Sequence, residues 1–184
     1  EAELTKGHSA ARSAMAALVS ERLVGGGYLR VGLDHYARPA DKLARAVVDR
    51  RLQRNFQGYV ADDPPWVVGI GASAISCLPA GFSQNAADPT EYMAAMDRGG
   101  FATVRGIAVD VEDRLRGDII SQLMCRYTAD IGETCRKHGK ETAAFLATVD
   151  GLAPLVRDGL VSIDGELLAV TELGRPLVRS VCAA

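Results

Sequence analysis

Three stretches combine residue types able to grip a small charged ligand: RNFQGY at 54–59, GIGASAIS at 69–76, and the pair Gln84 and Asn85. Phe56 offers a π face for a purine or a cation, and Gln57 offers both a donor and an acceptor for a zwitterionic amino-acid group. The small residues Gly69, Gly71, Ala72, Ser73 and Ala74 allow a ligand or another backbone to come close. Ile75 can supply an apolar wall beside a purine. An adenine, a sulfonium and an amino acid together describe S-adenosylmethionine. The same residues fit a plain structural role equally well, with Phe56 packed between a helix and a sheet, Gln57 bonded to loop backbone, and the small residues at a tight contact. The GxGxS spacing matches neither a dinucleotide fingerprint nor a phosphate loop.

Other chemistry-bearing residues are more scattered. His35 follows Asp34, a pair open either to proton handling or to an orienting hydrogen bond at a sheet rim. Arg30, Arg54 and Arg105 could clamp carboxylates, although solvated arginines serve no such end, and none is assigned a catalytic role. Cys77, Cys125, Cys135 and Cys182 lack CxxC pairing and read as reduced, buried thiols. Cys135 and His138 lie one helical turn apart as CRKH, and two such ligands do not by themselves make a metal site.

The elements that must hold these residues follow from periodicity. Met15, Leu18, Val19 and Leu23 mark a helix over 11–23, stopped by Gly25, Gly26 and Gly27. A strand is expected over 28–33, then a helix opened by Pro39 with its stripe at Leu43, Val47, Val48 and Leu52, then a strand over 66–70. Helix, strand, helix, strand predicts parallel βα packing, with ligands at the strands' carboxyl ends near Asp34, His35 and residues 71–76. Further on, helices are expected over 110–125 and 145–156. A hairpin over 160–171 follows, with Asp164 and Gly165 as a type I′ turn, and a last helix carries Leu173, Leu177 and Val178. The fold class is α/β plus mainly α: residues 1–100 form the last βα units of a partial TIM-like barrel, and residues 101–184 a helical, winged-helix-like domain.

Composition narrows the function. A net charge of −2 and a pI near 5.9 disfavour a nucleic-acid partner. Over residues 141–175, Glu141, Asp150, Asp158, Asp164, Glu166 and Glu172 outnumber Arg157 and Arg175. A helix exposing Thr148, Asp150 and Ala153 would repel phosphates rather than read bases, so this module reads as a lid or interface. No run is long enough to span a bilayer, and the start lacks a signal-peptide layout, so a cytoplasmic protein is expected. A first residue other than Met and the ending VCAA suggest a piece of a longer protein.

The motifs GYLRVGLDHYARPADKLA, LQRNFQGYV, GIGASAISCL, FSQN, RGIAV, LMCRY, LVRDGLV and VTELGRPLVRSV, taken in order, resemble the oxygen-independent coproporphyrinogen III oxidases across nearly the whole chain. RNFQGY and GLDHYA are the specific pieces. The related haem chaperones lack RNFQGY, but a haem-binding or interaction module of such a relative is the alternative. The resemblance implies a radical S-adenosylmethionine enzyme with a partial α/β barrel and a helical carboxyl-terminal domain. Such an enzyme converts two propionates of coproporphyrinogen III to vinyls with loss of CO2, on the route to haem. A 4Fe–4S cluster on a CxxxCxxC motif cleaves S-adenosylmethionine, giving a radical that abstracts hydrogen from the propionate. By residue match, Phe56, Gln57 and Ile75 are implied contacts to S-adenosylmethionine. This sequence contains no CxxxCxxC, so the chain alone is expected to be inactive, and an unpaired sheet edge is expected to promote self-association.

Overall fold

The computed structural model describes residues 2–62, 64, 66–149 and 151–184, with residues 2–9 described by backbone alone. Helix α1 (Ala2–Gly25) leads into the hairpin β1 (Leu29–Val31) and β2 (His35–Ala37). Helix α2 (Lys42–Val48) and a second hairpin, β3 (Gln53–Asn55) and β4 (Gly58–Val60), follow. Strands β5 (Ile75–Leu78) and β6 (Gly81–Asn85), helix α3 (Pro89–Asp97) and strand β7 (Thr103–Ala108) complete the first part. The second part runs α4 (Val111–Arg126), β8 (Thr128–Asp130), α5 (Ile131–Lys137), α6 (Thr142–Leu146), α7 (Leu152–Arg157), β9 (Val161–Asp164), β10 (Leu167–Val170) and α8 (Val178–Val181).

The content is mixed α and β, as expected, but the strand pairing differs from the parallel βα pattern. Among the described residues every ladder is antiparallel: β1 with β2, β3 with β4, the sheet β5-β6-β7, and the sheet β8-β10-β9. The physical reason lies at Gly32, whose φ of +57° turns the chain back within the loop Gly32, Leu33, Asp34, so the expected strand over 28–33 folds into a hairpin. Asp41, whose carboxylate accepts from the Leu43 amide at 2.8 Å, starts α2 three residues past the predicted Pro39. The expected strand over 66–70 reduces to a single bridge, Val67 with Cys77. Val68 and Ile70 there are exposed, with no core to fix an extended strand.

The α1 stripe also departs from expectation: Met15, Leu18 and Val19 are exposed, and only Leu23 is half-buried. The helix expected over 145–156 is two short ones, α6 and α7, and Asp150 between them lies outside the described residues. In the last hairpin Asp164 pairs with Leu167, so the turn residues are Gly165, with φ +59°, and Glu166, which keeps a negative φ. That conformation belongs to the II′ class rather than I′. The final helical region is a 3₁₀ turn at Arg175–Leu177 followed by α8, which leaves Leu173 exposed.

Two cores meet at α4. The helix begins with a reciprocal capping box between Asp110 and Asp113 and buries Leu115, Ile119 and Leu123 among Phe145, Leu152, Val161, Leu168, Val170 and Val178. Its opposite side sends Cys125 into a smaller core with Val31, Ala37, Ala44, Ala46, Leu52 and Tyr59. Leu33, from the β1-β2 loop, packs against the larger core. Loop and helical region are thereby joined. The β5-β6-β7 sheet stands apart: every residue of β7 is exposed, and Phe82, Val104 and Ile107 face solvent. Because β7 pairs with β6, that sheet straddles the expected division at residue 100.

Candidate functional site

Phe56 and Gln57 are the two turn residues of the β3-β4 hairpin, between the paired Asn55 and Gly58. The Asn55 side chain braces the turn from within, its Oδ1 accepting from the Gln57 amide at 2.9 Å and the Gly58 amide at 3.2 Å. Gly58 holds a φ of +141°, a conformation side chains resist. The backbone is therefore fixed, whereas the Phe56 ring is 45% exposed and the Gln57 amide has no hydrogen-bond partner among the described residues. Both side chains are exposed to solvent.

Ile75 is in a different sheet. It opens β5 opposite Gln84 and lines a cleft of about 220 Å³ with Phe82, Ser83, Gln84, Arg105, Gly106 and Ile107. Gln84 works structurally there: its Nε2 donates to the Ser73 carbonyl at 2.9 Å, and its Oε1 accepts from Arg105 Nε at 2.7 Å and also from the Arg105 terminal nitrogen. Asn85 donates to the Gly71 carbonyl at 3.1 Å. These bonds shape the 69–74 loop and hold Ser73 at a φ of +61°. A Cβ on Gly69 would lie 2.6 Å from the Ile75 carbonyl oxygen, so at that position smallness serves a backbone contact. The structure thus keeps Phe56 and Gln57 together and puts Ile75 in a separate cleft.

Asp34 and His35 are both exposed and share a 2.8 Å contact between Oδ1 and Nδ1. The His35 ring meets Tyr59 edge-on, with centroids 5.2 Å apart. Arg54 stacks over Tyr59 at 4.9 Å and donates to its hydroxyl, and Arg30 donates to the Leu33 carbonyl. His138 pairs with Asp118 at 2.8 Å, while Cys135 is fully buried. Among the described residues no three His, Cys, Asp or Glu side chains converge as a metal set.

Spacing gave no sign of the role of Tyr59, which is 7% exposed. Its hydroxyl accepts from the Leu33 amide at 2.9 Å and donates to the Met124 carbonyl at 2.9 Å. Tyr127 bonds from the other side, donating to the Gly32 carbonyl at 2.7 Å. Two buried phenols thus hold the Gly32–Leu33 peptide region between the hairpin and α4. An aromatic two residues after Gln57 was the only available signal.

Residues 109–177 match the family model described as the HemN C-terminal domain. Over those residues this chain is similar to that domain. The HemN likeness extends well beyond it. The oxygen-independent coproporphyrinogen III oxidase of Bradyrhizobium diazoefficiens is 44% identical over 174 residues, which span 95% of this chain and 39% of that protein. The protein of the same name from Thermostichus vulcanus is 36% identical, over 90% of this chain and 51% of its own length. The solved HemN from Escherichia coli, described as a radical S-adenosylmethionine enzyme, superposes with a TM-score of 0.84 at 36% identity, over 91% of this chain and 39% of that one. The chain thus spans about two-fifths of the first of these relatives and about half of the second.

Proposed function

We propose that this chain supplies the carboxyl-terminal part of an oxygen-independent coproporphyrinogen III oxidase, which oxidatively decarboxylates two propionates of coproporphyrinogen III to vinyls, giving protoporphyrinogen IX. The superposition on HemN, at 36% identity over 91% of the chain, carries the reading. The relatives' names favour it over a haem-binding module.

In this reading Phe56 and Gln57 form one wall of an S-adenosylmethionine site and Ile75 another. The half-exposed ring and unbonded amide fit that ligand: the ring suits an adenine face or a sulfonium, and the amide can both donate to a carboxylate and accept from an ammonium. Residues for an iron–sulfur cluster do not fit within this chain, since Cys125 and Cys135 are buried in α4 and α5 and no ligand set converges among the described residues. Cluster ligands must come from elsewhere in the protein, and the chain alone is inactive. When bound, S-adenosylmethionine and the cluster supply the radical chemistry. This chain's own residues hold and orient the ligand and exclude water from one side.

The partner is a porphyrinogen substrate, and the setting is the cytoplasm. No helix among the described residues is long and apolar enough to cross a membrane. We further assign residues 1–100 to the closing part of a partial barrel and the remainder to a winged-helix-like cover; the three-stranded sheet β8-β10-β9 beside α4 and α5 supports the second assignment. In isolation, the exposed β7 edge with Val104 and Ile107 favours self-association. The test is anaerobic turnover by the full-length protein with S-adenosylmethionine and a reductant. Protoporphyrinogen IX is the expected product, and a folded, cluster-loaded protein that leaves coproporphyrinogen III unconsumed would refute the assignment.

A further inference from the structure

We propose that Tyr59 is a positioning residue for this reaction, setting the Phe56–Gln57 turn in place through three bonds to its hydroxyl; the proposal rests on assigning that turn to S-adenosylmethionine. A phenol has one hydrogen to donate and two lone pairs. Here the hydrogen goes to the Met124 carbonyl of α4, and the oxygen accepts from the Leu33 amide and from an Arg54 terminal nitrogen at 3.2 Å. No bonding capacity is left over. The hydroxyl is thus a single node joining β4, the Gly32–Leu33–Asp34 loop and the helical region.

That node matters for Phe56 because the turn is internally rigid. Asn55 bonds two of its amides, and β3 and β4 are only three residues each, so the hairpin moves as one body. Its placement depends on where the body is fastened. One fastening is the Ser121 hydroxyl on Gln53 at 3.2 Å. Another is Tyr59, two residues beyond Gln57. The Tyr59 ring covers Gly32 so closely that a Cβ on Gly32 would lie 2.0 Å from the ring carbon bearing the hydroxyl, so the ring has one seat. Removing the hydroxyl keeps that seat and frees the hairpin to tilt.

The experiment uses the full-length protein with Tyr59→Phe, and Phe56→Ala as a comparator. The KM for S-adenosylmethionine is expected to rise about tenfold in Tyr59→Phe, the scale of one buried hydrogen-bond node, with the KM for coproporphyrinogen III unchanged. A merely destabilised protein would instead lose active fraction, lowering kcat and leaving both KM values alone. Hydrogen exchange at residues 53–60 is expected to quicken in the same variant. Unchanged exchange, or an unchanged KM in Tyr59→Phe where Phe56→Ala raises it, would overturn the role of Tyr59 and leave the turn's assignment standing. If neither variant moves that KM while exchange quickens, the ligand assignment fails and the positioning role fails with it. Should Tyr59→Phe not fold, an amide-to-ester replacement at Leu33 removes one bond between the hairpin and its surroundings with the phenol intact. It is expected to raise the KM about threefold, a fraction of the full node, and no rise would overturn the proposal.

Discussion

Tyr127, in the left-handed conformation that ends α4, donates its phenol hydrogen to the Gly32 carbonyl 95 residues earlier in the chain. Burial pushes this phenol's pKa up, with the neighbouring Arg30 pulling the other way, so it remains a donor at physiological pH. The Arg175 guanidinium lies 4.7 Å from the centre of its ring. Tyr127→Phe keeps that stacking and orphans only the carbonyl. Stability is expected to fall by about 1 to 2 kcal/mol, read from urea unfolding, and an unchanged midpoint would show that the bond is dispensable.

Gly32 tolerates a side chain even less. Its φ of +57° disfavours any Cβ, and the Tyr59 ring occupies the space that the Cβ would need. Gly32→Ala is expected to cost more than about 2 kcal/mol, and the double change with Tyr59→Ala should be less than additive because both act at one contact. Full additivity in the cycle would separate the two residues.

Much of the helical region was legible in the sequence. Of Leu115, Ile119, Ile120 and Leu123, expected on one side of a helix, all but Ile120 face the core and Ile120 is exposed, and the apolar runs around Asp164 and Gly165 do form a hairpin. The turn itself lies one residue further on, at Gly165 and Glu166, and the Glu166 carboxylate holds Arg136 at 2.9 Å and Thr142 at 2.9 Å. Strand direction was not legible. A short apolar run such as 28–33 suits a parallel strand or half a hairpin, and the choice is made at Gly32 by Tyr59 and Tyr127, distant in sequence. Phe56 and Gln57 share one turn, as neighbours in sequence must, but periodicity could not show that Ile75 sits in another sheet. That separation arises from the irregular loop over 69–74, which Gln84 and Asn85 shape through side-chain bonds.

The cysteines should differ sharply in reactivity. Burial pushes the thiols of Cys125 and Cys182 up to about 11, and it raises that of Cys135 as well. At pH 8 the thiolate fraction of the first two is about a hundredfold below that of an ordinary thiol. Iodoacetamide is expected to modify Cys77 well before the other three, as mass spectrometry of native protein would show. All four should react once the chain is unfolded. Early labelling of Cys125 would contradict the packing of α4 against the smaller core.

Asp118 links α4 to the end of α5. Burial raises its pKa, but hydrogen bonds from Lys137 and His138 outweigh that, and the net shift is downward. A carboxylate with a folded pKa below its unfolded one contributes stability above the unfolded value, and the contribution is lost as pH falls through the folded value. Asp118→Asn is therefore expected to be less stable at pH 7 by under about 1 kcal/mol, since the group is partly solvated. The gap should narrow as pH falls below the unfolded value of about 3.9. A gap that stayed the same from pH 7 down to the acid unfolding transition would assign the effect to something other than charge.

The central claim, that this chain provides walls for S-adenosylmethionine, is tested most directly by the dissociation constant of that ligand, measured by equilibrium dialysis on the full-length protein with Gln57→Ala and with Ile75→Ala. Each substitution is expected to weaken binding by about tenfold, equivalent to about 1.4 kcal/mol, while Ile163→Ala, on the exposed hairpin, leaves it unchanged. Affinities within twofold of the unsubstituted protein for both variants would contradict the claim.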